Sequence, residues 1–265
     1  MSGFDANWLA LREPADRAAR NDALVAELAA RLDQRAGPAA LLDIGCGTGS
    51  TWRSLSPVLP GDAAWLLLDN DPLLLAEAHR QIGAAGRVRF RRHDLNDLTG
   101  LPLDGIAVVT ASALFDLCSE AFSARFVARI AGQACGLYAA LNYDGAMRWS
   151  VGHPLDAAVV ADFNRHQRTD KGFGPALGPD ATGRLAHHLE RRGYRVSLGA
   201  SPWRMGRQEA ALQRAFLDGF RQPLHEIGSL SGTEIEAWLA FRLAAIEAPD
   251  SLCEVGHTDL LAVPG

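Results

Sequence analysis

With 265 residues, 48% of them hydrophobic, the chain is long enough to bury one large α/β core with embellishments rather than several domains. Its net charge of -5 is dispersed, with neither a basic stripe nor a polybasic cluster, which argues against nucleic acid or an anionic membrane as partner and favours a small-molecule substrate. Phe4, Trp8 and Leu11 are interrupted by Asp5, Arg12 and Glu13, unlike a signal peptide, and no eighteen apolar residues run together, so a soluble cytoplasmic protein is expected. Cys46, Cys118, Cys135 and Cys253 are scattered without metal-ligand spacing; they read as free thiols, and no metal is expected.

Residues 1–36 read as a helical cap placed before the core. Phe4, Trp8 and Leu11 repeat at helical spacing, Pro14-Ala15-Asp16 looks like a fresh helix start, and Leu24, Val25, Leu28 and Leu32 continue the stripe to Gly37-Pro38. Arg12, Arg17, Arg20 and Asn21 lie on this cap.

The stretch from Leu41 to Ser50 is the organising element. An apolar strand ends in Asp43, then Gly45, Gly47 and Gly49 alternate before a helix that begins near Ser50. Glycine lacks a Cβ, so a sharp turn here brings backbone against a ligand. The dinucleotide fingerprint spaces its glycines differently, and an acidic residue two places before the first glycine repels phosphate but can hold an amine. The pattern Asp-x-Gly-x-Gly-x-Gly resembles the first motif of the class I S-adenosylmethionine-dependent methyltransferases. The resemblance implies an α/β fold: a Rossmann-like, seven-stranded, mostly parallel sheet with helices on both faces. It also implies S-adenosylmethionine as cofactor, with S-adenosylhomocysteine as product. Caps of this kind commonly close over the cofactor in that family, which makes Arg12 or Arg20 a candidate for its carboxylate.

Two further motifs follow in order. Ala64 to Asp69 is an apolar run ending in a carboxylate, as for a parallel strand buried on both faces. Asp69, about 20 positions past the glycines, suits the two ribose hydroxyls, with Asn70 beside it. Asp71 before Pro72 reads as the N-cap of a helix carrying Leu73 to Ile82. A third strand, 87–92, alternates polar and apolar and leads to His93-Asp94-Leu95. In the resembling family an Asp here accepts from the adenine amine while the next backbone N–H bonds a ring nitrogen, which maps to Asp94 and Leu95. The alternative for Asp94 is a loop cap.

Residues 105–110 read as the fourth strand, with Ala111 at its ligand end. Asp116 reads equally as a helix-start carboxylate or a substrate-facing base, before a helix with Phe122, Phe126, Val127 and Ile130. The Asn/Asp-Pro-Pro-Tyr signature of enzymes that methylate nucleic-acid bases is absent. Residues 136–143 form the fifth strand, with Asn142, Tyr143 and Asp144 at its end. From 143 to 179 an insertion is expected, with a helix to about Arg168 and a loop that mixes Asp170, Lys171 and Phe173. Such loops on rigid scaffolds carry recognition, although a plain polar turn is the alternative. His166 is a candidate base, and Arg168 or Lys171 a clamp for an anion. A sixth strand, 194–198, runs to Ser201-Pro202-Trp203-Arg204. Two amphipathic helices fill 205–247, and 252–263 is the last strand.

The chain therefore reads as a cap, 1–36, on a methyltransferase core, 37–265, with insertions at 143–179 and 205–247. The cofactor residues are Asp43, Gly45, Gly47, Gly49, Asp69, Asn70, Asp94, Leu95, Ala111 and Arg20. Candidate catalytic residues are His166, Asp116 and Tyr143, and candidate substrate contacts are Asn142, Arg168, Asp170, Lys171, Phe173 and Trp203. The expected reaction is in-line methyl transfer to an O or N nucleophile of a small molecule. An NAD-dependent oxidoreductase and a catalytically silent cofactor-binding subunit are the alternatives. The three elaborations are expected to converge over the cofactor's methyl end.

Overall fold

The computed structural model describes residues 5–83 and 87–265; Phe4 lies outside them. A central sheet runs β3 (Val88–Arg92), β2 (Ala64–Asp69), β1 (Ala40–Ile44), β4 (Val108–Ser112), β5 (Gly136–Trp149), β8 (Cys253–Pro264), β6 (Tyr194–Ala200). The first five are mutually parallel, and β8 enters antiparallel between β5 and β6. Leu41, Leu42, Ile44, Leu67 and Leu68 are fully buried because this part of the sheet is covered on both faces, which is why β1 and β2 are apolar runs. One cover holds α5 (Glu120–Ala131) and α7 (Ala181–Glu190), with Phe122, Phe126 and Leu185 at its centre. The other includes α2 (Asp22–Asp33), which packs Leu24, Leu28 and Leu32 against Leu41 and Leu261.

The sheet has eight strands rather than seven, because Trp203–Met205 forms a short β7 on β8, with Trp203 opposite Val255. The fourth strand starts at Val108 rather than 105, since Gly105 at φ 74° still belongs to a turn. The insertion also begins later than 143: β5 continues to Trp149 through two register shifts, and Met147 pairs with Val255. Within the first shift Leu141 takes φ 57°, and its N–H donates to Asp259 Oδ1 at 2.8 Å. No helix restarts at Pro14. α1 (Ala6–Ala19) is continuous with that proline inside, and the break falls at Asn21, whose side chain caps α2. Three α-helices fill 205–247 instead of two: α8 (Ala210–Asp218), α9 (Arg221–Ile227) and α10 (Gly232–Ala245). With α6 (Asp156–Gln167) they build a third apolar cluster around Trp238, Phe220 and Trp203 beyond the ligand end of the sheet. Among the described residues, no helix is long and apolar enough to cross a membrane.

Candidate active site

A cleft of about 290 Å³ opens where β1, β2 and β4 end, the edge at which open parallel sheets bind ligands. Its floor is the glycine loop. Gly45, Gly47 and Gly49 all have φ between 53° and 85°, the left-handed region, and Gly49 is the N-cap of α3 (Ser50–Leu55). The loop is fixed from both sides. Cys46 N–H donates to Leu68 O at 2.9 Å, and Gly47 N–H donates to Asp69 Oδ2 at 2.8 Å. Asp69 Oδ1 accepts from Asp71 N–H at 2.9 Å, so the carboxylate joins the loop to the start of α4 (Pro72–Ile82).

Under the loop lies a buried polar group that the protein only half satisfies. Asp43 is fully buried; Oδ1 accepts from Thr110 Oγ1 at 2.6 Å and Oδ2 has no partner. Burial pushes its carboxyl up to about 7, opposed by the Thr110 hydrogen bond and by the Arg20 charge. Arg20 donates from Nη2 to Ser112 Oγ at 2.9 Å, while Nε and Nη1 are buried without partners. Ser112 Oγ in turn lies 3.0 Å from Thr51 Oγ1. Buried polar atoms are normally paired, so Asp43 Oδ2 and Arg20 Nε and Nη1 are exceptions, one of each charge, packed behind the cleft.

Gly45, Gly47, Asp69, Asn70, Asp94 and Leu95 line this cleft, whereas Asp43, Gly49, Arg20 and Ala111 lie outside its lining. At the far end His93 is held by Asp97 O at 2.9 Å, and Asp94 Oδ1 accepts from Asn96 N–H. Lys171 and Phe173 reach the same cleft from the insertion loop. α1 reaches it too, through Leu9, Arg12 and Asp16. This helix is tied down by Glu13, which takes both Arg53 Nε and Nη2, while Arg53 Nη1 donates to Thr48 O in the glycine loop.

A second cleft of about 330 Å³ adjoins the first, and Arg12, Ala113 and Leu117 line both. All three elaborations contribute walls: Trp8 from α1, Phe163 and His166 from α6, Phe216 from α8. Trp203 stands edge-on to Trp8 at 6.3 Å and donates Nε1–H to Asp16 Oδ1 at 2.9 Å. The Arg12 guanidinium is 4.9 Å above the Trp203 ring and chelates Asp16 through Nε and Nη2.

The three candidate catalytic residues line this second cleft. Tyr143 donates to Asn164 Oδ1 at 2.8 Å, and burial holds its hydroxyl well above the ordinary tyrosine range. His166 sits between Glu226 Oε2 at 2.9 Å and Lys171 Nζ at 3.3 Å. Asp116 is half-buried as a residue, but Oδ1 is shielded and unpartnered, and burial raises its carboxyl to about 6. Trp203 is the one expected substrate contact in this cleft. Asn142, Arg168 and Asp170 line neither cleft. Asn142 is fully buried, with Nδ2 donating to Ala139 O and Thr258 O. Arg168 pairs with Asp180, and Asp170 accepts from Gly172 and Gly174 N–H to shape its own loop.

His257 went unremarked as a site residue. It lines the second cleft between Trp203 at 5.1 Å and Tyr143 at 6.2 Å, with Nδ1 buried and unpartnered. Burial, with help from the Arg12 charge, lowers it to about 3. In sequence it stands only as one of several polar residues of the last strand, between Glu254 and Asp259.

A family model for a methyltransferase domain matches residues 41–132, the part of the chain that holds the glycine loop, Asp69 and Asp94. The YcgJ protein of Bacillus subtilis is similar in structure, with a TM-score of 0.53 at 14% identity over 92% of this chain and 100% of that one. A methyltransferase of Geobacter sulfurreducens, solved with S-adenosylhomocysteine, aligns over 98% of this chain and 99% of its own at 16% identity and a TM-score of 0.49. No curated protein matches the chain in sequence.

Proposed function

We propose, from the premise that residues 41–132 are a class I S-adenosylmethionine-dependent methyltransferase domain, that the chain methylates an O or N nucleophile of a small molecule held in the second cleft. The observation that carries the reading is the set of orphaned buried atoms beneath the glycine loop, Asp43 Oδ2 with Arg20 Nε and Nη1. Both residues sit behind the cleft lining, so in this reading a small shift of the loop lets an α-amino acid group meet them, its ammonium toward Asp43 and its carboxylate toward Arg20. A Cβ on Gly47 would fall 3.2 Å from Leu9 Cδ1, so glycine there keeps the passage between loop and cap open. Asp69, Asp94 and Leu95 line the same cleft; in this reading Asp69 accepts from the ribose hydroxyls, and Asp94 with the Leu95 N–H takes the adenine edge. The residues present therefore fit S-adenosylmethionine.

When bound, that cofactor supplies an electrophilic methyl group. The chain's own work is alignment, exclusion of water and removal of a proton. Alignment dominates, since orientation can supply roughly 7 to 11 kcal/mol while a positioned base contributes about 10² to 10⁴-fold. In this reading residues 1–36 act as the cap on the core, and the additions after β5 and β7 close the reaction chamber. Ala113 and Leu117, shared by the two clefts, mark the passage through which methyl group and nucleophile meet.

Titration calorimetry with S-adenosylhomocysteine, and with NADH as the comparison, tests the proposal. Binding of the former only is expected, and Asp69→Ala should weaken it by about 1–3 kcal/mol through the polar groups left unpaired. Binding of NADH in its place would overturn the reading in favour of an oxidoreductase.

A further inference from the structure

Resting on that reading, we infer that the second cleft takes a neutral, ring-bearing hydroxyl compound of the phenol class, and that Asp116 accepts the proton of the attacking hydroxyl.

The shape of the cleft comes first. Trp8, Tyr143, Phe163, Trp203 and Phe216 supply aromatic walls, several of them edge-on to one another, which leaves ring faces for a flat apolar body. Next comes the distribution of unpaired polar atoms. Tyr143 is tied to Asn164, and His166 to Glu226 and Lys171. Asp116 Oδ1 and His257 Nδ1 are instead buried without partners. Asp116 lines the second cleft and is next in sequence to Leu117, which with Arg12 and Ala113 also lines the first. His257 offers a second hydrogen-bonding atom beside Trp203 and Tyr143.

Charge then selects among nucleophiles. Arg12 already occupies the junction, paired with Asp16 and stacked on Trp203. Burial and that guanidinium keep His257 neutral, and burial penalises an incoming ammonium in the same way, offset in part by the Asp116 carboxylate. A carboxylate substrate faces Asp116 instead. A phenol carries no charge into the cleft and gives Asp116 Oδ1 the hydrogen bond it lacks. Burial also makes Asp116 a stronger base than an ordinary carboxylate while leaving it mostly ionised at neutral pH. In the step itself the O–H bond breaks and its proton passes to Asp116. The oxygen's electron pair forms the new bond to the methyl carbon, and the carbon–sulfur bond breaks with its pair remaining on sulfur. The products are an aryl methyl ether and S-adenosylhomocysteine.

Three probes share one apolar body: 4-propylphenol, 4-propylbenzylamine and 4-propylbenzoate. They are titrated into the protein with saturating S-adenosylhomocysteine, following tryptophan fluorescence, and then assayed with S-adenosylmethionine. The phenol should bind at least about tenfold more tightly than either charged probe and alone be methylated. Asp116→Asn should keep phenol binding and lose about 10²-fold or more in turnover. Preference for the amine or benzoate, binding of none of the three, or undiminished turnover in Asp116→Asn would overturn the inference while calorimetric binding of S-adenosylhomocysteine left the cofactor reading standing. Absence of that binding would overturn both. The selectivity of the wild-type protein does not depend on how well the variant folds.

Discussion

Asp43 concentrates the conflict between folding and binding in one side chain. Its folded carboxyl titrates near 7 against an ordinary 3.8, so between these values the folded state holds a proton that the unfolded chain releases. Stability from this group is therefore greatest at low pH and falls as pH rises through about 4 to 7. Asp43→Asn removes that dependence. The melting temperature of the variant, relative to wild type without cofactor, should be more favourable at pH 8 than at pH 5 by about 5 °C, on the scale of about 2–4 °C per kcal/mol for a chain this long. The same variant should bind S-adenosylhomocysteine more weakly. An unchanged difference between the two pH values would show that Asp43 is not the strained acid described. The positions of Asp43, Asp69 and Asp94 were legible in the sequence because each falls at or just past the end of a strand pattern: next to last in β1, last in β2, and two residues past β3. His257 was not, because its neighbours Trp203 and Tyr143 are brought to it only by the pairing of β7 and β5 with β8.

The turn from β1 into α3 shows how backbone and packing demands combine in one element. Gly49 needs φ 85°, and an added Cβ there would fall 2.8 Å from Ile82 Cδ1 on α4. Gly37 needs φ 93° but would meet nothing within 4 Å. Gly37→Ala should therefore cost only the left-handed strain, about 1–2 kcal/mol, whereas Gly49→Ala adds displacement of Ile82 and should cost about 1–3 kcal/mol more. Chemical denaturation of both variants reads the difference, and equal losses would mean that α4 yields without cost. Elements of this kind, where local pattern sets local shape, match the sequence reading from β1 through α5 apart from the start of β4. The largest misreadings of the sheet were set by tertiary pairing, whereas the Pro14 restart and the number of helices in 205–247 were errors of local pattern. The continuation of β5 to Trp149 and the separate β7 both follow from partners distant in sequence on β8, Met147 and Trp203 each pairing with Val255, that no local periodicity reveals.

At the scale of the molecule, the helices added outside the sheet join the two clefts into one apparatus. α1 fully buries only Asp16; it lays Trp8, Leu11 and Ala15 half-buried against the third apolar cluster and adds polar ties, Glu13 to Arg53 and Asp16 to Trp203 and Arg12. A helix fastened this way opens more readily than the sheet beneath it. A ligand in the first cleft touches Leu9, Arg12 and Asp16 on its inner side, and Lys171, Gly172 and Phe173 on the insertion loop. Binding of S-adenosylhomocysteine should therefore slow amide hydrogen exchange across residues 6–19 and 169–175 as well as in the glycine loop, by several-fold, and leave α10 unchanged. The sequence implied such closure only through the placement of additions near strand ends; the contacts that carry it join residues 40 and 187 positions apart. Glu13→Gln, which discharges the Arg53 partner, should lessen the protection of α1 more than that of the loop after α6. Protection confined to residues 43–49 would mean that the cap stands apart from the cofactor site, and the chamber would then be closed by the other two additions alone.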